Sequence, residues 1–411
     1  MADPEPPRFP HLEGLRAVAA LLVVVSHVGF WTGSSLRGPL GGLGARGDVG
    51  VAVFFAVSGF LLGYPRIGNR VPTGPYLGRR AVRILPAYLL ALAVVVAACL
   101  GSGRPVGAGQ VVAHLLVLQG LTGDLFQSFS QTWSLTTELS FYLLLPLVTR
   151  GLSLVRARRA LALLGLAALA GLVATAASAA GSGPVARAVG LSVVGHAAWF
   201  AVGLGVAVAL AVEPARPPAW WRLLRTSPDT LTAAACVLLV LAATGAAGPR
   251  GLSPSSPGAA LVKEVLYAGI AGSLLLACVS SSPERGMLTR VLDSAPLREA
   301  GRISYGIFLW HVLVLQQLFD HTGLSVFRAP FWPVLLVVLV GSAVVAAASY
   351  RWLERPLGRT LRHRQEPRPQ QEQHPEQDRE LAGPGSPVPV LEDAARDQQH
   401  ATDRHGHPGG D

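Results

Sequence analysis

The stretch LRAVAALLVVVSHVGFW, residues 15–31, is almost entirely Leu, Val and Ala, yet it opens with Arg16 and carries His27 near its far end. A run this apolar suits a bilayer span, which takes about 20 residues. Charged and titratable groups are costly in hydrocarbon, so those retained inside a span face a bundle interior or a cavity. Eleven residues at about 100° each turn a helix ~1100°, within roughly 20° of three full turns. Arg16 and His27 therefore leave one helix face, about 16 Å apart along the axis. Taken alone, Arg16 also reads as an interfacial anchor and His27 as a histidine bonded to a neighbouring helix.

The whole chain shares this character. Of its 411 residues 51% are hydrophobic and only 14% charged, too few charges for the surface of a soluble protein of this size. The reading is an all-α, polytopic transmembrane bundle. Ten spans are expected, near 12–31, 48–65, 83–101, 132–149, 160–180, 188–212, 230–248, 259–280, 301–320 and 331–353. The shorter piece VVAHLLVLQGL (111–121) is expected as an interfacial or re-entrant helix. Arginines concentrate in loops after even-numbered spans and thin out after odd ones. By the positive-inside rule both termini are expected in the cytoplasm, which makes the protein a multi-pass component of the cell membrane.

The Pro-rich start, with no strongly basic segment, is read as residues 1–11 leading into a retained first span, not a cleaved signal. Residues 12–357 form the membrane domain. The tail, 358–411, is rich in Pro, Gln, Glu and Gly, and is expected to be a disordered cytoplasmic segment. Cys99, Cys236 and Cys278 lie in apolar runs and match no metal-ligand spacing, so no metal is expected. The net charge of +10 is carried by arginines, with Lys263 the single lysine. It is explained by topology and genome composition; no nucleic-acid partner is implied.

Polar residues within the runs mark a candidate site. In span four, Glu138 lies about 9 Å from one end, with Tyr142 one turn further and Trp133 before it. Counted along antiparallel spans, His27 and Glu138 fall at the same depth, where an acid and an imidazole can share a proton. Span two carries Ser58 beside Gly59, a small-residue pair suited to close packing. Arg79, Arg80 and Arg83 cluster before span three. Arg80 and Arg83, three residues apart, point the same way and would suit a polyphosphate, although positive-inside anchoring reads equally well. Span nine holds Ser304, Tyr305 and His311, the histidine mid-span, where it lines a cavity or bonds a backbone carbonyl. His196 and His114 are weaker candidates, read as structural.

Six segments in order, GLRAVAALLVVVSHV, FFAVSGFLLG, RRAVRILPAYLL, WSLTTELSFYLLLPLV, GRISYGIFLWH and ERPL, resemble the membrane acyltransferase-3 family across residues 12–357. The resemblance implies a multi-span enzyme moving an acyl group, often acetyl, from acyl-CoA to a hydroxyl of a carbohydrate, cell-envelope glycan or secondary metabolite. It places the family's arginine-to-histidine motif on Arg16 and His27, its cytoplasmic arginine motif on Arg80 and Arg83, and its acid on Glu138. Phe308 stands where a Tyr is common, and the family's frequent C-terminal esterase-like domain is not expected in so short a tail.

On this reading Arg16, Arg79, Arg80 and Arg83 hold the donor's phosphates. His27 is general base or acyl carrier, and Glu138 orients its ring. Ser58, Trp133, Tyr142, Ser304, Tyr305 and His311 line the substrate cavity. The expected partners are acyl-CoA, a hydroxyl-bearing glycan or small molecule, and the lipid bilayer. The rival class is a transporter or glycan flippase with a His/Glu proton relay; no pair of Gly/Pro-broken spans or internal repeat supports it.

Overall fold

The run that holds Arg16 and His27 forms one helix, α1 (His11–Thr32), closed by Gly33 in the left-handed region at φ 74°. In the computed structural model, residues 9–357 are described except 214–216, 251–252, 254 and 283–285. Regular structure among them is entirely helical. Nine further helices carry the remaining apolar runs: α2 (Val49–Gly63), α3 (Thr73–Gly101), α4 (Trp133–Ser153), α5 (Ala157–Ala180), α6 (Ala197–Ala211), α7 (Pro228–Ala242), α8 (Pro257–Cys278), α9 (Ser304–Thr322) and α10 (Phe331–Ser349). Helices satisfy their backbone groups internally, a condition that hydrocarbon imposes on whatever crosses it.

Length and apolarity qualify six segments as candidate spans among the described residues, and a seventh if the bent pair Ala219–Thr226 and α7, at 82° to each other, counts as one. The expected count of ten is not reached on these grounds, for identifiable reasons. Helix α6 has only 15 residues, while α4 and α9 are diluted by polar side chains such as Thr136, Thr137, Gln316 and Asp320. The expected 111–121 helix is two short pieces, Ala108–Leu115 and Gln119–Thr122, with Val117 at φ 55° between them. The expected cytoplasmic termini fall mostly on residues 1–8 and 358–411, and the expected disordered tail lies wholly there. Both stretches are outside the described residues.

Burial separates the centre from the rim. The apolar window of α1 is 61% buried and that of Gly38–Arg66, which contains α2, is 72% buried. The corresponding figure is 17% for α5 and 28% for the segment containing α10, so α1 and α2 form the axis and α5 and α10 meet lipid. Helix α2 packs on α1, α6 and α8, and α9 packs on α1 and α10. Phe55 of α2 stacks on Phe200 of α6 at 4.4 Å, and Phe200 stacks on Phe141 of α4 at 4.1 Å, which ties three helices through ring faces.

Lipid is as apolar as leucine, so helices in a membrane associate through close van der Waals fit, for which small residues are needed. Ser58–Gly59 supplies half of such a contact. A Cβ on Gly59 would lie 2.7 Å from the Phe200 carbonyl oxygen, and one on Gly203 would lie 2.0 Å from that of Ala56. Backbone cannot swing aside as a side-chain tip can. Gly203→Ala is therefore expected to lower stability by about 1–3 kcal/mol or more, read as a lower unfolding temperature and reduced monodisperse yield in detergent. Gly205→Ala, whose Cβ would meet only the Leu161 side chain at 3.9 Å, should be tolerated. Equal stability of the two variants would remove the close α2–α6 contact as a determinant of the fold.

Candidate active site

Two cavities lie end to end along α1. The narrower, about 90 Å³, is lined by Arg16, Ser58, Arg80, Arg83, Glu138 and Tyr142 among others. The larger, about 880 Å³, is lined by His27, Asp48, Gln131, Trp133, His196 and Glu264 among others. Val51 and Phe308 border both. Arg16 thus borders the narrower cavity, the throat, and His27 the larger one, the chamber. The chamber has the size of a small-molecule site.

In the throat, Glu138 Oε1 accepts from Ser58 Oγ at 2.9 Å and from Tyr142 Oη at 2.5 Å. The pairing Glu138–Tyr142 follows from one-turn spacing on α4; Ser58 arrives from α2 across the close glycine contact. The Arg80 guanidinium lies 5.6 Å from the Tyr142 ring centre, a cation–π contact. Arg80 Nε is buried with no hydrogen-bond partner among the described residues. Tyr305, also lining the throat, donates to the Ile84 carbonyl at 3.1 Å. Three guanidiniums on one narrow cavity with a single carboxylate leave a surplus of positive charge, suited to an anionic group.

In the chamber, His27 pairs with His311 and not with Glu138. His311 Nε2 lies 3.3 Å from His27 Nδ1, and the rings meet edge to face at 4.9 Å. The proton positions follow from the partners. His311 Nδ1 faces the Phe308 carbonyl oxygen at 2.7 Å, which only accepts, so Nδ1 carries the hydrogen and Nε2 the lone pair. His27 Nδ1 then faces two acceptors, that lone pair and the Val23 carbonyl oxygen at 3.0 Å, so it too is protonated. The lone pair of neutral His27 is left on Nε2. A histidine whose second nitrogen is fixed in this way is a defined base.

Several expectations are corrected here. Glu138 borders the throat with Arg16, while His27 borders the chamber further along α1, so the expected common depth of His27 and Glu138 does not bring them together. Trp133 lines the chamber, away from the Glu138–Tyr142 pair with which it was grouped. Ser304 is fully buried, donates to the Gly301 carbonyl at 2.8 Å and borders neither cavity. Arg79 is exposed and is not among the residues lining the throat. His311 lines neither cavity and reaches the site only through its contact with His27. His114 is buried and bonded to the Gln110 carbonyl oxygen at 2.9 Å, in keeping with a structural role.

Sequence reading assigned no role to a polar wall on α8. Lys263 Nζ lies 2.6 Å from Asp48 Oδ2, and Tyr267 donates to Asp48 Oδ1. Glu264 Oε1 lies 3.1 Å from His196 Nδ1, whose ring stacks on Trp199 at 4.3 Å. The available signal was a lysine and a glutamate side by side in an apolar run, which by the rule applied to Arg16 and His27 is a functional flag.

A family profile described as "Acyltransferase domain" matches residues 9–351. Among curated relatives, YrhL of Bacillus subtilis, provisionally named a peptidoglycan O-acetyltransferase, is 29% identical over 85% of this chain and 55% of its own length. Nodulation protein 10 of Rhizobium leguminosarum is 27% identical over 83% of this chain and 91% of its own. Peptidoglycan O-acetyltransferase OatA of Listeria monocytogenes is 24% identical over 85% and 55%. The chain therefore spans about half the length of two of these three relatives. No solved structure matches it.

Because Ser58 and Tyr142 donate to the same carboxylate oxygen, Ser58→Ala and Tyr142→Phe should each cost about 1.5–3 kcal/mol as lost bonds to a charged group. The double variant should cost measurably more than the sum, because it alone leaves that oxygen without either donor. Thermal unfolding of the four proteins in detergent reads this. Strict additivity would mean that the two hydroxyls do not share Glu138.

Proposed function

The chain belongs to the acyltransferase family whose domain covers residues 9–351, and on that premise we propose that it is a multi-pass membrane O-acyltransferase. It moves an acyl group, acetyl first among them, from acyl-CoA to a hydroxyl of a carbohydrate, cell-envelope glycan or secondary metabolite. The observation that carries this reading is the pair of cavities meeting at Val51 and Phe308, one edged by arginines and the other by a tautomer-fixed histidine. The charge pattern of the loops supports a cytoplasmic position for the arginine-rich end, which is where acyl-CoA is made available.

Arg16, Arg80 and Arg83 take the donor's phosphates, with Arg79 at the outer rim. The pantetheine arm reaches along α1, a distance on the order of the ~16 Å between Arg16 and His27, and brings the thioester to the Val51–Phe308 junction. His27 Nε2 accepts the proton of the acceptor hydroxyl as its oxygen attacks the thioester carbonyl. The C–O bond forms, the C–S bond breaks, and the imidazolium returns its proton to the departing thiolate. His311 holds His27 in the required tautomer and shares the Nδ1 hydrogen while the ring is charged. Glu138 orients the Ser58 and Tyr142 hydroxyls in the throat and offsets part of the guanidinium charge, so that the donor arm is gripped at its phosphates.

Purified full-length protein with labelled acetyl-CoA tests this. Thiol release that depends on a hydroxyl acceptor is expected; a transporter would give none. His27→Ala should abolish transfer while the protein remains monodisperse and inserted. His311→Phe should lower kcat by at least tenfold, and Arg83→Ala should raise the KM for acetyl-CoA more than it lowers kcat. Turnover by His27→Ala at the unmodified rate would take His27 out of the mechanism.

A further inference from the structure

Three residues lining the chamber each keep a buried polar atom with no hydrogen-bond partner among the described residues: Gln131 Oε1, His196 Nε2 and Glu264 Oε2. All three residues are more than nine-tenths buried, at 2%, 7% and 4% exposure. Leaving such an atom unbonded costs about 1–3 kcal/mol, and three around one cavity form a pattern to be explained.

Their chemistry is uniform. Gln131 donates its amide to the Leu309 carbonyl at 2.7 Å, which leaves the amide oxygen as an acceptor. His196 Nδ1 faces a carboxylate oxygen at 3.1 Å and so carries the hydrogen, which leaves Nε2 as an acceptor. The second oxygen of Glu264 is also an acceptor. The chamber therefore presents three acceptors waiting for donors. A ligand that matches them must bring several O–H or N–H groups close together.

Charge decides between the two. Lys263 is paired with Asp48, and Glu264 with His196. Arg250 is engaged by the Ala243 and Gly38 carbonyls at 2.8 and 3.1 Å. With His196 neutral, the formal charges of the chamber lining, Lys263 and Arg250 against Asp48 and Glu264, sum to zero, so the chamber has no net charge to favour an ammonium or a carboxylate. Beside the acceptors lies the part-buried indole of Trp133, a large flat apolar surface next to hydrogen-bonding groups, while the buried Trp199 backs the His196 ring. Flat apolar faces edged by acceptors suit a ring with hydroxyls around its rim and C–H groups on its face.

We infer that the chamber wall formed by Gln131, His196 and Glu264 with Trp133 and Trp199 is a binding site for a neutral, polyhydroxylated sugar ring, which it presents to His27. This rests on the chamber being the acceptor side of the proposed transfer, and it narrows the acceptor class to carbohydrate, excluding hydroxyl-poor metabolites. A site built to bond several hydroxyls discriminates strongly against an analogue that lacks them, because its own buried acceptors are then left unpaired.

The test measures binding without acyl donor. Full-length protein in lipid nanodiscs is titrated with a panel of neutral sugars, N-acetylglucosamine tetramer and maltotetraose among them, with tryptophan fluorescence as readout. At least one is expected to bind saturably. Singly deoxygenated analogues of that sugar should bind at least tenfold more weakly, a comparison made on unaltered protein. Glu264→Gln, which turns an acceptor into a donor, should weaken binding at least tenfold, and His196→Phe likewise. Cyclohexylmethanol, a ring with one hydroxyl, should not compete. Failure of every sugar to bind, undiminished binding of the deoxygenated analogues, or full competition by cyclohexylmethanol overturns the inference. Sugar binding without thiol release from acetyl-CoA would leave this site standing and remove the transferase reading. Thiol release onto simple alcohols without sugar binding would do the reverse.

Discussion

Hydrocarbon gives a polar group no partner, and most of this structure can be derived from that refusal. Once α1 carries both Arg16 and His27 on one face, that face cannot meet lipid. It has to be enclosed, and the enclosing helices must bring partners of their own. Hence the deep burial of α1 and α2 and the thin burial of α5 and α10. The enclosure in turn requires backbones that approach closely, which the Gly59–Gly203 contact between α2 and α6 allows. That same contact helps to set Ser58 against Glu138.

What could be read from the sequence was whatever one helix determines by itself. The shared face of Arg16 and His27, the one-turn step from Glu138 to Tyr142 and the small pair Ser58–Gly59 are properties of a 3.6-residue period, and each recurs in the structure. Partners across helices were not legible in the same way. Counting residues from a span's end fixes height but says nothing about azimuth. Glu138 lies in the throat with Arg16 and His27 in the chamber, and the imidazole on α9 that does meet His27 was left open between two roles. Length and apolarity mark only six of the ten expected spans among the described residues, for a related reason. Helices α4 and α9 turn polar side chains inward, which lowers the hydropathy by which a span is recognised.

The polar wall on α8 shows a different limit. Lys263 and Glu264 are adjacent, so on a helix they diverge by about 100°, and no single-face pattern flags them. Each is resolved by a different neighbour, Asp48 before α2 for the lysine and His196 before α6 for the glutamate. The result is a chamber whose formal charges sum to zero while its acceptors stay unpaired, in contrast to the throat, where positive charge is in surplus. An anion-attracting cavity and a hydrogen-bonding one without net charge thus adjoin within the length of α1, an asymmetry that a symmetric relay would not need.

The exchange of a carboxylate for a second imidazole beside His27 bears on how a base can operate at this depth. A neighbouring carboxylate favours the charged form of an imidazole, which suits a site that water can reach. An imidazolium held permanently within a bundle would need its counter-ion fixed at all times and would start the proposed reaction without a free lone pair. A neutral imidazole partner orients the ring through one hydrogen bond and imposes no charge on it. With His311 anchored to the Phe308 carbonyl and His27 sharing its Nδ1 hydrogen with Val23 and His311, the proposed base would be oriented yet uncharged until a substrate proton arrived. Glu138, placed instead among guanidiniums, then balances the charge that the throat must carry whether or not a reaction is in progress.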